Sequence, residues 1–369
     1  MTFTAQQARR PDTQPPPVAS GERLSDFDYE LPEELIAQSR RPRSEASRLM
    51  VLDRKTGRIE CCSMRDLPAL LAPGDVLVRN DTRVLPARLS AVRHRAGRGG
   101  GPDRRLEVEI LLCHPLGGGL WEALARPAKR LKPGDILELA GTTRAAVEPG
   151  GADGTRRIRF AADSEAYECM TRAGTMPLPP YVHTTVLDPE EYQTCYAASP
   201  GAVAAPTAGF HFDRADFDRM SARGVELVDV TLHVGPGTFL PIRTEELSAH
   251  VMHRERFEVG AAAFGRIEQA RAAGRRIVAL GTTSVRVLES LVEEAGGGDG
   301  QAGWTDLFIR PGHRFKNVGA LITNFHLPRT SLLVLVSAFA GRELVQQAYR
   351  KAIEQRFRFY SFGDGMIVL

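Results

Sequence analysis

Cysteine is scarce in this 369-residue chain: Cys61, Cys62, Cys113, Cys169 and Cys195 are all there are, an odd number with no C-x-x-C spacing. A disulfide framework and a structural zinc site are therefore not expected, and a reducing cytoplasm is the natural compartment. Long apolar runs are also missing. The longest, Leu332 to Ala340, contains Ser337 and falls far short of the roughly 20 residues that span a bilayer, so it predicts a buried helix. The first 22 residues lack the apolar centre of a secretion signal. Charge of one sign is not in excess either: 48 Lys and Arg against 45 Asp and Glu leave a net charge of +3. This balance neither requires nor excludes a nucleic-acid partner, because phosphate contacts depend on local patches. A phosphate loop of the G-x-x-x-x-G-K-[ST] type and an H-E-x-x-H motif are both absent, which disfavours a P-loop ATPase and a zincin. The glycines at 97–101 lack the strand–turn–helix context of a dinucleotide fingerprint.

What is present is ordinary globular material. With 43% hydrophobic and 25% charged residues, the chain has ample core for two domains at roughly 150 residues each. Residues 1–22, rich in Pro, Gln, Ser and Thr, predict a disordered extension. Pro32 suits the first turn of a short helix, EELIAQ, and RLMVLDRKTGRI predicts a hairpin about Lys55-Thr56-Gly57. From 71 to 160, β-like runs follow one another: DVLVRN, ARLSAV, RLEVEILLC, WEALAR, DILELA, RAAVEP and RRIRF. Their frequent turn signals predict a small antiparallel barrel or sandwich. The Pro-Gly-Asp element at 73–75 and 133–135 reads as two turns, each preceding a strand. Beyond 160, helices at 213–223, 261–273, 284–295, 331–340 and 343–357 alternate with the strands VELVDVTLHV, RRIVAL and ALITNF. That alternation predicts an α/β layer over a largely parallel sheet. The simplest assembly is an α/β domain of residues 23–70 and 161–369 carrying 71–160 as an inserted β-barrel.

Several polar loops fall at predicted strand ends. Asn80-Asp81-Thr82-Arg83 serves equally as a hydrogen-bonded turn or as a cluster whose Arg grips a carboxylate or phosphate. APTAGFHF combines small residues, Thr207, and His211 between aromatics; a core histidine and a ligand loop are both consistent with it. His233 ends a strand before Gly235-Pro236-Gly237, either facing a ligand or marking a bend at the sheet edge. His250 and His253, with Glu255, would give metal spacing on a helix, but no further ligand set accompanies them. Thr282, Thr283 and Ser284 either cap a helix or hold a carboxylate or ribose, and Asn324 and His326 repeat the theme. Basic residues cluster at Arg88, Arg93, Arg95, Arg98, Arg104 and Arg105, and again at Arg350, Lys351, Arg356 and Arg358. The second set is interleaved with Phe357, Phe359 and Tyr360, so solvated surface and RNA contact both fit.

Taken in order, LSDFDYELPEELIAQ, ASRLMVLDR, PGDVLVRNDTRVLPARL, MPLPPYV, YQTCYAASPGAVAAPTAGFHF, VTLHVGPGTF, HVMHRE, GTTSVRVLES and ALITNFHLP with SLLVLVSAFAGRE resemble one family. It is the S-adenosylmethionine:tRNA ribosyltransferase-isomerases of queuosine biosynthesis, and the likeness runs from Leu24 nearly to the C-terminus. The resemblance implies an α/β domain with an inserted β-barrel. It also implies transfer and isomerisation of the ribosyl part of S-adenosylmethionine onto 7-aminomethyl-7-deazaguanine at the tRNA wobble position. Adenine and methionine leave, S-adenosylmethionine is a consumed substrate, and no separate cofactor or metal is expected. The partners implied are tRNA and S-adenosylmethionine, with no membrane and a monomeric chain.

Such chemistry needs a base for the C5′ proton beside the sulfonium, a donor to departing adenine, and an uncharged amine in a partly dry pocket. His211, His233, His253 and His326, with Asp81 and Glu255, are the candidate catalytic groups, His211 and His233 ranking first by their strand-end context. Asn80, Arg83, Thr207, Thr282, Thr283 and Asn324 are the candidate substrate contacts. Departures from the family pattern are Gly319, where an acid is common, His313 for Tyr, Phe210 for Leu, Pro236, the 93–105 loop and the N-terminal extension. The competing readings are an S-adenosylmethionine-dependent RNA methyltransferase and a non-catalytic RNA-binding module.

Overall fold

The structure, a computed structural model, describes residues 22–42, 45–95, 104–151, 154–183, 188–239, 242–292 and 299–369. The expected N-terminal extension, apart from Glu22, and the centre of the 93–105 loop lie outside these residues.

The hairpin forms as expected: β1 (Arg48–Leu52) pairs antiparallel with β2 (Ile59–Ser63). After α1 (Leu67–Leu70) comes β3 (Val76–Asn80), followed by the short β4 (Thr82–Val84). The barrel strands are β5 (Arg88–Arg95), β6 (Arg104–Gly117), β7 (Leu120–Arg126), β8 (Ile136–Leu139), β9 (Thr143–Glu148) and β10 (Arg156–Arg159). They close in the order β10-β7-β6-β5-β8-β9, with antiparallel pairing throughout. Alternate residues point inward, so Leu89, Ile110, Trp121, Leu137, Val147 and Ile158 fill the interior. α2 (Asp163–Ala173), a helix not among those expected, packs Ala166, Cys169 and Met170 against the same core.

The return to the α/β part runs through β11 (Ser199–Ala202), paired with β4, and α3 (Arg214–Ala222). It continues with β12 (Glu226–Leu232), β13 (Glu255–Gly260), α4 (Ala261–Ala272), β14 (Ile277–Leu280), α5 (Thr282–Ser290) and β15 (Gly300–Thr305). Then follow β16 (Ala320–Asn324), α6 (Ser331–Ala340), α7 (Arg342–Glu354) and β17 (Gly365–Val368). Nine strands form one sheet in the order β15-β13-β12-β3-β14-β16-β17-β1-β2. Helices cover both faces. Phe217 and Met220 of α3 meet Leu77, Val278 and Ile322 on one side, while α4 to α7 meet Val76, Val78, Ala279 and Leu321 on the other. Every residue of β14, IVAL, is buried, as a central strand between two helical layers must be.

Two expectations change here. The run DVLVRN, taken above as the first barrel strand, is β3, held between β12 and β14 at the centre of the large sheet. A short apolar run reads alike in either setting, and only its partners distinguish the two. The sheet is also mixed rather than largely parallel. The pairs β12–β3, β3–β14, β14–β16 and β17–β1 are parallel, whereas β15–β13, β13–β12, β16–β17 and β1–β2 are antiparallel.

Smaller differences have local causes. EELIAQ gives only a 3₁₀ turn over Glu33–Leu35, because the chain then bridges to Phe359 at Ile36. α5 begins at Thr282, two residues early; Gly281, at φ +88°, makes the sharp entry, and Ser284 Oγ donates back to the Leu280 carbonyl instead of capping. The Pro-Gly-Asp elements are turns: the Asp75 and Asp135 carboxylates each accept a backbone N–H three residues back, at 2.8 Å, and Gly74 and Gly134 adopt φ +92° and +87°.

Candidate active site

A parallel sheet leaves its strand-end loops to form a crevice where ligands collect. Here the loops after β12, β14 and β16, joined by the segments at 204–208, 250–255 and 360–361, line a cleft that is open to solvent, with about 1090 Å³ of unfilled space when its mouth is included. Of the expected site residues, Thr207, His253, Glu255, Thr282, Thr283, Asn324 and His326 line it; Asn80, Asp81, Arg83, His211 and His233 do not.

Glu255 opens β13 and is buried, yet its carboxylate is well partnered. Oε1 accepts the Gly235 N–H at 2.7 Å, and Oε2 takes Nη1 of Arg286 in an ion pair. Arg286 lies one helical turn beyond Thr282 on α5, and it also donates to the carbonyls of Thr305 at 3.2 Å and Leu307 at 3.3 Å. Burial pulls its guanidinium down to about 10, still charged at neutral pH. Arg286, within GTTSVR, is not among the residues the sequence singles out, although its helical spacing from Thr282 is a signal for it. The Gly-Pro-Gly turn serves this corner directly. A Cβ on Gly237 would stand 2.8 Å from Cβ of His253, so only glycine lets the turn close over that imidazole.

The start of α5 forms another wall. The first amides of a helix lack internal acceptors and carry partial positive charge. Beside them Thr283 Oγ1 is buried without a hydrogen-bond partner. Opposite stand Tyr181 and Tyr360, with ring centres 4.1 Å apart, and Tyr181 hydrogen-bonds Ser361. Burial raises both phenols, Tyr360 to about 12, so both stay protonated near neutral pH. These aromatics lie in MPLPPYV and in the C-terminal FRFYSF; the sequence suggests Tyr360 for RNA contact and does not select Tyr181.

The histidines divide by burial. His326 hydrogen-bonds Thr323 through Nε2 at 3.1 Å, and burial lowers it to about 3. His211 sits behind the wall: Nε2 donates to Asn324 Oδ1 at 3.2 Å, leaving Nδ1 to accept from Ser47 at 3.0 Å. Burial, partly offset by the Asn324 bond, takes it to about 4. Asn324 spends its Nδ2 on the carbonyls of Tyr360 and Ser361. His233 turns to the other face of β12 and meets Thr82 Oγ1 at 2.9 Å; burial first, then the charge of Arg256, lowers it to about 4. His250 is also lowered, by burial and by His253. His253 is half-buried on the cleft wall. The segment around it is irregular rather than helical, so the helical i, i+3 spacing does not arise, and among the described residues no three His, Cys, Asp or Glu side chains gather as a metal site.

The NDTR cluster lies outside the cleft lining and makes contacts within the fold. Asn80 clamps Leu232 through both its N–H and C=O, tying β3 to β12. Asp81 accepts from Thr231 at 2.6 Å and from Ser199 at 3.2 Å, and Arg83 pairs with Glu190. The C-terminal basic stretch offers no stacking surface, because Phe357, Phe359 and Tyr360 are all buried. Two of its four cations are engaged within the fold: Lys351 binds the Ile59 carbonyl and Arg358 that of Ser39. Among the departures, Gly319 lies at the amino end of β16, away from the cleft, and His313 rests against Glu289 at 3.3 Å. Among the described residues, no helix is long and apolar enough to cross a membrane.

Comparison with known proteins agrees over nearly the whole chain. Residues 24–368 match the family model described as queuosine biosynthesis protein. A protein of Symbiobacterium thermophilum named S-adenosylmethionine:tRNA ribosyltransferase-isomerase is 48% identical over 352 residues, covering 94% of this chain and 100% of the relative. A protein of the same name from Halothermothrix orenii is 44% identical over 352 residues, with the same coverage. The crystal structure of S-adenosylmethionine tRNA ribosyltransferase from Thermotoga maritima superposes with a TM-score of 0.54 at 38% identity, over 93% of this chain and 100% of that one.

Proposed function

Since this chain belongs to the queuosine biosynthesis protein family, we propose that it works as an S-adenosylmethionine:tRNA ribosyltransferase-isomerase, with the cleft at the ends of β12, β14 and β16 as its reaction site. The ribosyl part of S-adenosylmethionine is transferred to 7-aminomethyl-7-deazaguanine at the wobble position of tRNA and isomerised to an epoxycyclopentanediol. Adenine and methionine are released. S-adenosylmethionine is consumed as a substrate, and the reaction takes place in the cytoplasm, where its tRNA is.

The observation that carries this reading is the convergence in one cleft of three chemically different walls. The α5 start, with its free amides and the unpartnered Thr283 hydroxyl, suits the methionine carboxylate. Tyr181, Tyr360 and Val234 offer an aromatic and apolar wall to adenine. His253 and Glu255 stand where a proton must be moved.

The sulfonium makes the adjacent C5′ proton removable, and a base works best when its pKa lies near the working pH. Burial makes His211, His233 and His326 poor proton acceptors, and the first two do not line the cleft. We therefore place His253 first as the base. Glu255, ion-paired with Arg286, lines the same cleft, where its carboxylate would stabilise the imidazolium that results. The tyrosines and helix α6 keep the pocket partly dry, which favours the uncharged form of the attacking amine.

The test is product analysis. Incubation with S-adenosylmethionine and tRNA bearing the aminomethyl base should yield adenine and methionine. S-adenosylhomocysteine would instead indicate a methyltransferase, and salt-sensitive binding without any product would indicate an RNA-binding module.

A further inference from the structure

The two faces of the sheet end are different. His253 and Glu255 face the cleft, while strand alternation sends Arg256 to the other face, toward the barrel. Arg256 stands in register with Trp304 on β15, and Arg254 places its guanidinium 5.7 Å from the centre of the Trp304 ring. The barrel contributes from the other side: His114 of β6 packs edge-on to Trp304 at 5.1 Å. The charge of Arg256 is also felt by Tyr167 of α2 and by His233, just beyond β12.

Trp304 is 41% exposed and Tyr167 39%, whereas the other tryptophan, Trp121, is fully buried in the barrel. Tyr167 rests one edge on Trp121 at 5.4 Å and Trp304 meets His114, yet each leaves much of its ring in water beside the arginines. Stacking faces for unpaired bases, flanked by cations for phosphates, are what single-stranded RNA requires. Acidic groups are present but peripheral: Glu258 lies 3.8 Å from Arg256, both well exposed, and Glu122 is engaged with His114 at 3.2 Å. β13 and β15 bring this surface to the same end of the sheet as the cleft, since Glu255 begins one strand and Thr305 ends the other.

We propose that Trp304, Arg254 and Arg256, with His114 and Tyr167 at the barrel, form the docking surface for the unpaired anticodon-loop nucleotides that flank the base entering the cleft. The inference rests on the tRNA-modifying reading above and adds where the RNA lies. It also gives the barrel a task, since the barrel wall completes the surface. The occupant is RNA rather than protein because the patch pairs π-faces with guanidinium groups and is not a broad apolar area.

The experiment uses the full chain and an anticodon stem–loop RNA carrying the aminomethyl base. In the wild type, the RNA should quench the fluorescence of Trp304, with W304F as the spectral blank. W304A and the double variant R254Q/R256Q should raise the KM for RNA at least tenfold while leaving the KM for S-adenosylmethionine within twofold. W304F, which keeps a stacking face, should recover most of the RNA affinity. Loss of the two arginines should also flatten the salt dependence of RNA binding by about 1.4 units of log–log slope. If the wild type releases adenine yet both variants keep the RNA KM within twofold, the surface is refuted and the reaction stands. A wild type that makes no adenine with this RNA refutes the functional reading and this inference with it. Quenching that follows protein concentration and ignores RNA would make the patch a contact between copies, and the proposal would fall.

Discussion

Gly235 donates its backbone N–H to Oε1 of Glu255 at 2.7 Å, joining two motifs that lie twenty residues apart in the chain. The bond makes the Gly-Pro-Gly turn and the first residue of β13 one unit, with Arg286 of α5 closing it from the other side. Glu255 and Arg286 are both buried, so the consequences of breaking this corner are large and separable.

Removing Arg286 alone should destabilise the fold. R286A leaves the Glu255 carboxylate buried without its cation, a change that costs about 3–5 kcal/mol in comparable pairs. Urea unfolding should show it, and E255L/R286M should regain most of the loss without regaining adenine release. A double variant as unstable as R286A would show that the pair is not a self-contained unit.

Space, rather than charge, governs the Gly237 position. G237A forces a Cβ to 2.8 Å from His253 Cβ, so the turn or the imidazole must move by several tenths of an ångström. We expect kcat to fall by about tenfold or more through misplacement of the base, with global stability altered by no more than about 2 kcal/mol. Steady-state kinetics alongside thermal unfolding checks both halves.

The histidines should rank by position. H253N is expected to lower kcat by roughly 10²–10⁴, the range for loss of a general base, with S-adenosylmethionine still bound. H233N, acting from the opposite face of β12, should change kcat much less. Single-turnover adenine release compares them directly, and an equal loss in the two would remove the basis for placing His253 first.

Burial of neutral histidines predicts an acid-labile fold. His211, His233 and His326 are lowered to about 4, 4 and 3, against an unfolded value near 6.5. Between those limits the unfolded state binds more protons, so stability is full above about pH 6.5 and falls as the pH drops toward 4. Each group contributes at most about 1.4 kcal/mol per pH unit in that window. Urea midpoints measured from pH 7 to pH 4.5 should decline steadily, and H211N, which cannot take up a proton, should make the decline shallower.

Much of this was legible before any coordinates. The barrel strands from ARLSAV to RRIRF, the helices of the α/β part and the polar loops at strand ends all follow from local patterns, because alternation, helical period and turn residues are short-range signals. Seven of the twelve expected site residues, among them Thr207, Thr282 and His326, do line the cleft. Their chemistry and their strand-end position were both visible in the motif. Asn80 and His211 show the limit. Each sits in a polar motif, yet one clamps β12 and the other supports Asn324 from behind, and a side chain's facing depends on what the neighbouring strand leaves open.

Sequence alone determined the element types, the chemical classes of the motif residues and the family to which the chain belongs, since these rest on residue identity and spacing over short stretches. Tertiary structure decided the rest: that β3 belongs to the sheet and not the barrel, that Arg286 reaches Glu255, and that Trp304 is left in water beside two arginines while Phe357 and Phe359 are buried. These outcomes turn on which surfaces meet across long separations in the chain. Burial and pairing are properties of the whole packed molecule, and no local window of residues contains them.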